Sequence, residues 1–259
     1  SEIKINERKR EILNLKEVRL ASGSKPFDLS FFENEIVSIT GLIGSGKTTL
    51  ASQIFGLDPN SKVKMTLNGD SYKPKNPKEA IAAGVFMCPK DRASNAVVSE
   101  FDISNNLALP FLKRHSRLSF LRSKSLAQNA RNSIDKLGIV CQSEMDSVTT
   151  LSGGNQQKVM VGRWLAEESS VLLLDEPFQG VDIKARRDIG LQIRSTSSQR
   201  ATLIFVAELD EALEIADRVI VLHEGNLVGE YQNKRKNIPE IVSSFSGSAY
   251  NQGSSNYGT

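Results

Sequence analysis

Cysteine and histidine are scarce, two of each in 259 residues, and there is a single tryptophan. Cys88 and Cys141 stand far apart, with neither metal-ligand nor redox spacing. That excludes a disulfide framework and fits a reduced, cytoplasmic compartment. Apolar runs such as "VLLL" and "VIVL" fall far short of the roughly 20 residues of a membrane-spanning helix. A formal net charge of +3 is too small to argue for a nucleic-acid partner. The basic clusters Arg8–Lys9–Arg10, Lys113–Arg114 and Lys234–Arg235–Lys236 read as solvated faces or tails. The first ten residues, "SEIKINERKR", are too charged for a secretory signal and read as a polar leader or linker. Residues 246–259, "SGSAYNQGSSNYGT", read as a disordered tail. The chain begins at Ser rather than Met, and the expectation is a piece of something longer.

Between the ends, strand-like and helix-like segments alternate, which predicts an α/β fold. "IVSIT" (36–40), "VLLLD" (171–175) and "TLIFVA" (202–207) are unbroken apolar runs, as expected of strands covered on both faces. "MTLNGDSY" (65–72) carries an Asn-Gly turn signal and predicts a small antiparallel element. Residues 105–140 have helical periodicity and few β-branched runs, and read as a mostly helical insertion.

"GLIGSGKT", Gly41 to Thr48, has the G-x-x-x-x-G-K-[ST] pattern, with a buried strand before it and the helix-like "TTLASQIFG" after it. Glycines let successive backbone N–H groups turn inward around an anion, and the following helix offers its N-terminus to the same anion. Leu42, Ile43, Gly44, Ser45, Gly46 and Thr49 complete the phosphate cradle with Gly41. Lys47 is placed to reach the β/γ-phosphates and Thr48 to ligate Mg²⁺. "VLLLDEP" supplies Asp175, a carboxylate for a metal-bound water at a strand end, and Glu176, placed to polarise an attacking water. "LSGGNQQK" (151–158) leads into a helical run in which Met160/Trp164 and Val161/Leu165 are i,i+4 pairs. Ser152, Gly153 and Gly154 therefore stand at a helix N-terminus. An ordinary cap and an anion site both fit them.

"GLIGSGKTT", "LSGGNQQK" and "VLLLDEP" in this order resemble the ATP-binding subunit of an ABC transporter, over roughly Ile12 to Tyr231. The resemblance implies a P-loop NTPase core of the ABC ATPase type over 11–245, with a small antiparallel β subdomain and a helical subdomain at about 90–160. It implies ATP and Mg²⁺ as ligands. It also implies that Ser152, Gly153 and Gly154 hold the ATP of a sister domain in a head-to-tail dimer. "LSGGNQQKVMVGRWLAEESSVLLLDEPFQGVDIKARRDI" is similar to the second half of the fused, two-domain ATPases of bacterial monosaccharide importers, and "PKDR" (89–92) fits that group. Permease subunits, and indirectly a periplasmic or extracellular sugar-binding protein, are the implied partners, at the cytoplasmic face of the membrane. Nucleoside and other small-solute importers use similar ATPases.

Three departures stand out. Most members of the family carry a His after the fourth core strand, and alignment on "ADR" places Ala207 there, followed by Glu208. The usual Gln that meets Mg²⁺ falls at Lys90. No aromatic stands before the first core strand to stack on adenine; Phe27 is in poor register. Lys47, Thr48, Asp175 and Glu176 are intact. The expectation is a site that binds Mg-ATP and turns it over slowly, or a half-site that does not hydrolyse. His115 and His223 read as structural or solvated. Phe101 and Leu107, in the stretch where the family docks its membrane subunit, read as packing.

Overall fold

The computed structural model of the chain describes residues 9–90, 97–111, 116–117, 120–121 and 123–255. The leader through Arg8, Asp91, Arg92, Lys113, Arg114 and His115 lie outside them. The chain opens with strands β1 (Glu11–Val18), β2 (Phe27–Phe32) and β3 (Glu35–Thr40), helix α1 (Lys47–Phe55), strands β4 (Lys64–Leu67) and β5 (Asp70–Tyr72), helix α2 (Pro77–Ala82) and strand β6 (Val85–Cys88). Helix α3 (Ile103–Ala108), short strands β7 (Ser116–Arg117) and β8 (Phe120–Leu121), and helices α4 (Ser123–Leu137) and α5 (Gly153–Leu165) follow. Then come β9 (Val171–Asp175), α6 (Ile183–Ser195), β10 (Ala201–Val206), α7 (Leu209–Ile215), β11 (Arg218–His223), β12 (Asn226–Gln232) and α8 (Ile238–Ser255).

These elements form two compact units. The first holds the described residues up to Met87, Ser169–Glu176 and those from Ser197 on. Its larger sheet has the order β12-β11-β3-β10-β9-β6. β11, β3, β10 and β9 run parallel, and every residue of β3, β9 and β10 is buried. The three apolar runs read from the sequence are thus adjacent strands of one sheet. β12 closes the edge antiparallel to β11 through Glu224 and Gly225, both at positive φ (47° and 77°), the turn that matches strand twist. The smaller sheet, β2-β1-β4-β5, is antiparallel, and its Asn68–Gly69 turn (φ 53° and 89°) is the predicted hairpin. Leu13 and Leu15 of β1, Leu50 and Ile54 of α1 and Leu203 and Phe205 of β10 share one core cluster, so α1 is held by both sheets.

The second unit holds the described residues of Cys88–Glu168 and Pro177–Thr196. Ile103, Leu107, Ala130, Leu137, Val148 and Val159 form its core. Leu107 therefore packs inside, whereas Phe101 keeps 37% of its surface exposed. A Cβ at Gly162 would lie 2.3 Å from Leu137 Cδ1, so the bare glycine lets α5 approach α4. Asp102 and Asp182 cap α3 and α6 through the N–H groups of Asn105 (2.7 Å) and Ala185 (2.8 Å).

One reading changes. The sequence marks 246–259 as a disordered tail, but α8 runs through Ser255. Its start is anchored: Ile241 is fully buried and the Ser244 and Tyr231 hydroxyls lie 2.5 Å apart. A helix fixed by tertiary contact propagates through residues whose composition alone reads as tail.

Candidate functional site

The glycine-rich loop leaves the C-terminal end of β3 and enters α1. At Gly41 (φ 153°) a Cβ would sit 2.2 Å from the Leu222 carbonyl oxygen and 2.9 Å from Ser45 Oγ, so only glycine fits. Gly44 (φ 82°) has nothing within 4 Å of where its Cβ would be, and the loop is open on that side. Ile43, at the tip, is 91% exposed. Lys47 begins α1 and is buried, and its ammonium donates to the Gly41 carbonyl and, at 3.5 Å, to that of Leu42. Thr48, next to it, is exposed. The hydroxyls of Ser45 and Thr40 are buried without a hydrogen-bond partner among the described residues. Buried polar groups normally have partners. A buried lysine folded over its own loop, two orphaned hydroxyls and a loop open beside Gly44 fit a phosphate chain with its Mg²⁺.

The other candidates of this unit gather at the same sheet edge. In the parallel register Thr40 pairs with Val206, and Phe205 with Asp175. Asp175 therefore ends a strand two places from β3, about 10 Å across. Crevices outside the C-terminal strand ends are where open α/β sheets bind ligands. Asp175 is 4% exposed and Glu176 8%. The strand ends at Asp175, and Glu176 takes a left-handed backbone (φ 50°), its N–H donating to the Phe205 carbonyl at 2.8 Å. One of its carboxylate oxygens accepts from the Ala207 N–H at 3.3 Å. Ala207 directly follows β10 and offers only a methyl as side chain, while exposed Glu208 opens α7 without a side-chain cap bond.

Lys90 and the "LSGG" residues belong to the second unit. Lys90 follows β6 and is exposed. Ser152 Oγ accepts from the Asn155 backbone N–H at 3.4 Å and its side-chain amide at 3.1 Å, so it caps α5. A Cβ at Gly154 would lie 3.2 Å from that of Ala185, so this glycine also serves the contact of α5 with α6.

Sequence reasoning missed the floor of the loop. "VLHEGN" reads only as a hairpin, yet its Gly225 N–H donates to the Ser45 carbonyl at 3.1 Å and its Leu222 carbonyl crowds Gly41. Leu20 meets Gly46 and Ala21 meets Gly225, while Phe27 begins β2. The one available signal was the turn glycine of "HEGN", which has the spacing of a hairpin and carries no mark of a second contact. His223 ends β11, with Nε2 4.0 Å from Glu224.

A phosphate-type loop between a buried parallel strand and a helix, with Asp-Glu closing a strand two places away, defines the P-loop NTPase fold class. The profile of the ABC transporter family matches residues 24–179, and the chain belongs to that family. It is 36% identical over 221 residues to the ribose import ATP-binding protein of Rubrobacter xylanophilus, covering 85% of this chain and 43% of that protein. To the arabinose import ATP-binding protein of Rhizobium etli it is 36% identical over 219 residues, 83% of this chain and 44% of the other. To the galactose/methyl galactoside import ATP-binding protein of Fusobacterium nucleatum it is 32% identical over 243 residues, 92% and 49% respectively. The chain spans about half the length of the curated relatives it matches. Among solved structures, the nucleotide-free ATP-binding cassette of an ABC transporter superposes with a TM-score of 0.75 at 19% identity, over 90% of this chain and 95% of that one. A cassette in its ADP conformation gives 0.75 at 20% identity, over 92% and 99%. The fold is that of the ABC ATPases. Among the described residues no helix is long and apolar enough to cross a membrane.

Proposed function

We propose that this chain is an ATP-binding domain energising bacterial carbohydrate import, and that it forms the second, slow nucleotide site of a two-domain ATPase. The names of its relatives and the half-length match support the import role. The observation that carries the slow site is the partner of Glu176: at the end of β10 it meets the backbone N–H of Ala207, with no imidazole there.

The placement of these residues supports the following roles. The loop N–H groups from Leu42 to Thr49 wrap the phosphates, and Lys47 moves from the Gly41 and Leu42 carbonyls to the anion. Thr48 and Asp175 would hold Mg²⁺, which would supply charge neutralisation on the phosphates. Glu176 orients the attacking water. A methyl at position 207 donates nothing to the γ-phosphate, so charge developing there goes unmet from this side. Ser152, Gly153 and Gly154 face the ATP of a sister domain, Lys90 stands at the position of the family's Mg²⁺-meeting Gln, and permease subunits dock on the second unit at the cytoplasmic face of the membrane. A half-site that binds ATP without hydrolysing it is the second reading, favoured by the same Ala207. A nucleoside or another small solute as cargo is compatible with every residue named.

The test is Mg-ATP calorimetry with a steady-state ATPase assay on one sample. Removing a charge-assisted contact costs about 1.5–3 kcal/mol, so Lys47→Ala should weaken binding roughly 10- to 100-fold. Wild-type turnover should be slow and vanish in Glu176→Gln. An oxyanion-type donor is worth about 100- to 1,000-fold, so Ala207→His should raise turnover by at least about tenfold. Fast wild-type turnover that Ala207→His leaves unchanged would sink the slow-site reading. Binding that is indifferent to Lys47→Ala would sink the nucleotide site itself.

A further inference from the structure

Helix α4 ends at Leu137, and Gly138 (φ 57°) turns the chain out of it. The Gly138 N–H donates to the Asp135 carbonyl at 3.3 Å and the Ile139 N–H to that of Ile134 at 3.0 Å. Two side chains of α5, three residues apart and therefore neighbours on the helix surface, hold the segment that follows. Buried Lys158 donates to the Gly138 carbonyl at 2.9 Å and to Asp188 at 2.7 Å. Asn155 meets Val140 in both directions. Its Oδ1 accepts from the Val140 N–H at 3.1 Å, and its Nδ2 faces the Val140 carbonyl at 3.5 Å.

A backbone N–H can only donate, so the Asn155 atom that faces it is the oxygen. The amide nitrogen is then the atom that meets Ser152 Oγ at 3.1 Å. The Asn155 backbone N–H meets the same oxygen at 3.4 Å. A serine hydroxyl has two lone pairs and one hydrogen. Asn155 occupies both lone pairs and leaves the hydrogen pointing away from itself. Ser152 is exposed, and among the described residues no acceptor takes that hydrogen. A serine without such neighbours can give or take a hydrogen bond. This one can only give, which suits an oxygen that can only accept, as those of a phosphate do.

We propose that Asn155 is a positioning residue that makes the Ser152 hydroxyl a fixed donor to a phosphate oxygen of the sister domain's ATP, a role that rests on the reading of Ser152 as facing that ATP. Asn155 acts through Ser152 and has no need to touch the nucleotide. Lys158 and the end of α4 stand behind it, holding Val140 where its N–H fixes the amide.

The experiment measures Mg-ATP-dependent dimerisation of the full chain by analytical ultracentrifugation, with Glu176→Gln in every sample to keep ATP intact. Ser152→Ala should weaken the dimer at least about tenfold, the worth of a hydrogen bond to a charged group. Asn155→Ala should weaken it about three- to tenfold, since the hydroxyl stays but loses its direction. In a Ser152→Ala background the same change should cost less than about twofold, because the hydroxyl that Asn155 directs is gone. Asn155→Asp covers the case of a misfolded loop. It keeps an oxygen for the Val140 N–H and withdraws the donor from Ser152, so it should weaken the dimer at least as much as Asn155→Ala. Equal factors for Asn155→Ala with and without the Ser152 hydroxyl would overturn the proposal by giving Asn155 a direct contact or a purely structural role. An Asn155→Asp dimer as tight as the wild type would overturn it as well. A Ser152→Ala dimer as tight as the wild type, or no ATP-dependent dimer at all, would instead remove the reading of Ser152 itself, and the role of Asn155 with it.

Discussion

Glu35→Ala should lower the stability of the chain by about 3 kcal/mol, the low end of the usual cost of breaking a buried ion pair, since Glu230 stays beside Arg218. Arg218, at the start of β11, has a side chain only 4% exposed. It donates to both carboxylate oxygens of Glu35, at 2.7 and 2.9 Å, and to the Ser30 carbonyl at 2.7 Å, and it also pairs with Glu230. Its guanidinium lies 5.6 Å from the Phe31 ring centre and 6.0 Å from that of Phe32. Burial pulls the Arg218 pKa down, but hydrogen bonds and charge from Glu35, then Glu230, leave it above the ordinary value. A base raised in the folded state stabilises below its unfolded pKa and loses that contribution only as pH climbs through the folded one. The pair is therefore fully active at neutral pH. A urea midpoint measures the loss. Exchanging both partners for apolar residues, Arg218→Met with Glu35→Leu, should recover most of it, because the desolvation cost goes with the charges. A double variant as unstable as Glu35→Ala would show that packing around the pair, and not the orphaned charge, sets the cost.

Asn106→Ala should cost the second unit a similar amount, about 3–5 kcal/mol, by orphaning several buried groups at once. Asn106 is completely buried. Its amide N–H group faces the carbonyls of Val98 (3.0 Å), Phe101 (3.1 Å) and Asp102 (3.0 Å). Its oxygen accepts from the Val98 N–H at 3.0 Å and from Arg163 at 3.0 Å. Among the described residues, Arg163 keeps only the Asn106 main-chain carbonyl, at 2.6 Å, when the side chain is cut back. Burial already pushes the Arg163 pKa down, a sign of how little solvent is there to replace the amide. Hydrogen exchange separates this account from a general softening. The Val98 N–H should lose protection by a larger factor than amides of α4, and uniform loss across the unit would contradict the role assigned to Asn106.

The elements that the sequence shows clearly are those whose cause is local. The phosphate loop is written in eight consecutive residues, the Asn68–Gly69 hairpin in two, and the buried strands in unbroken apolar runs. Asn106 is the opposite case. In "NNLAL" a polar residue reads as the wet side of a helix, and nothing nearby in sequence reveals that its amide closes a loop above it. Gly162 likewise reads as a flaw in a helix until the side chain of Leu137 is placed against it. The loop's floor was hidden for the same reason: Leu222 and Gly225 meet Gly41 and Ser45 only after the sheet has brought β11 beside β3. The departures at Ala207 and Lys90 were legible, since one side chain missing from a known pattern needs no geometry to be noticed.

Glu176 holds a backbone shape that suits glycine or asparagine better, at a cost of about 1–3 kcal/mol. A library of variants selected for heat resistance alone should therefore drift toward Gly or Asn at position 176. The most durable proteins it returned would be those that had given up the carboxylate. On the role proposed for Glu176, durability and turnover pull in opposite directions at this one residue, and breeding for the first would quietly erase the second.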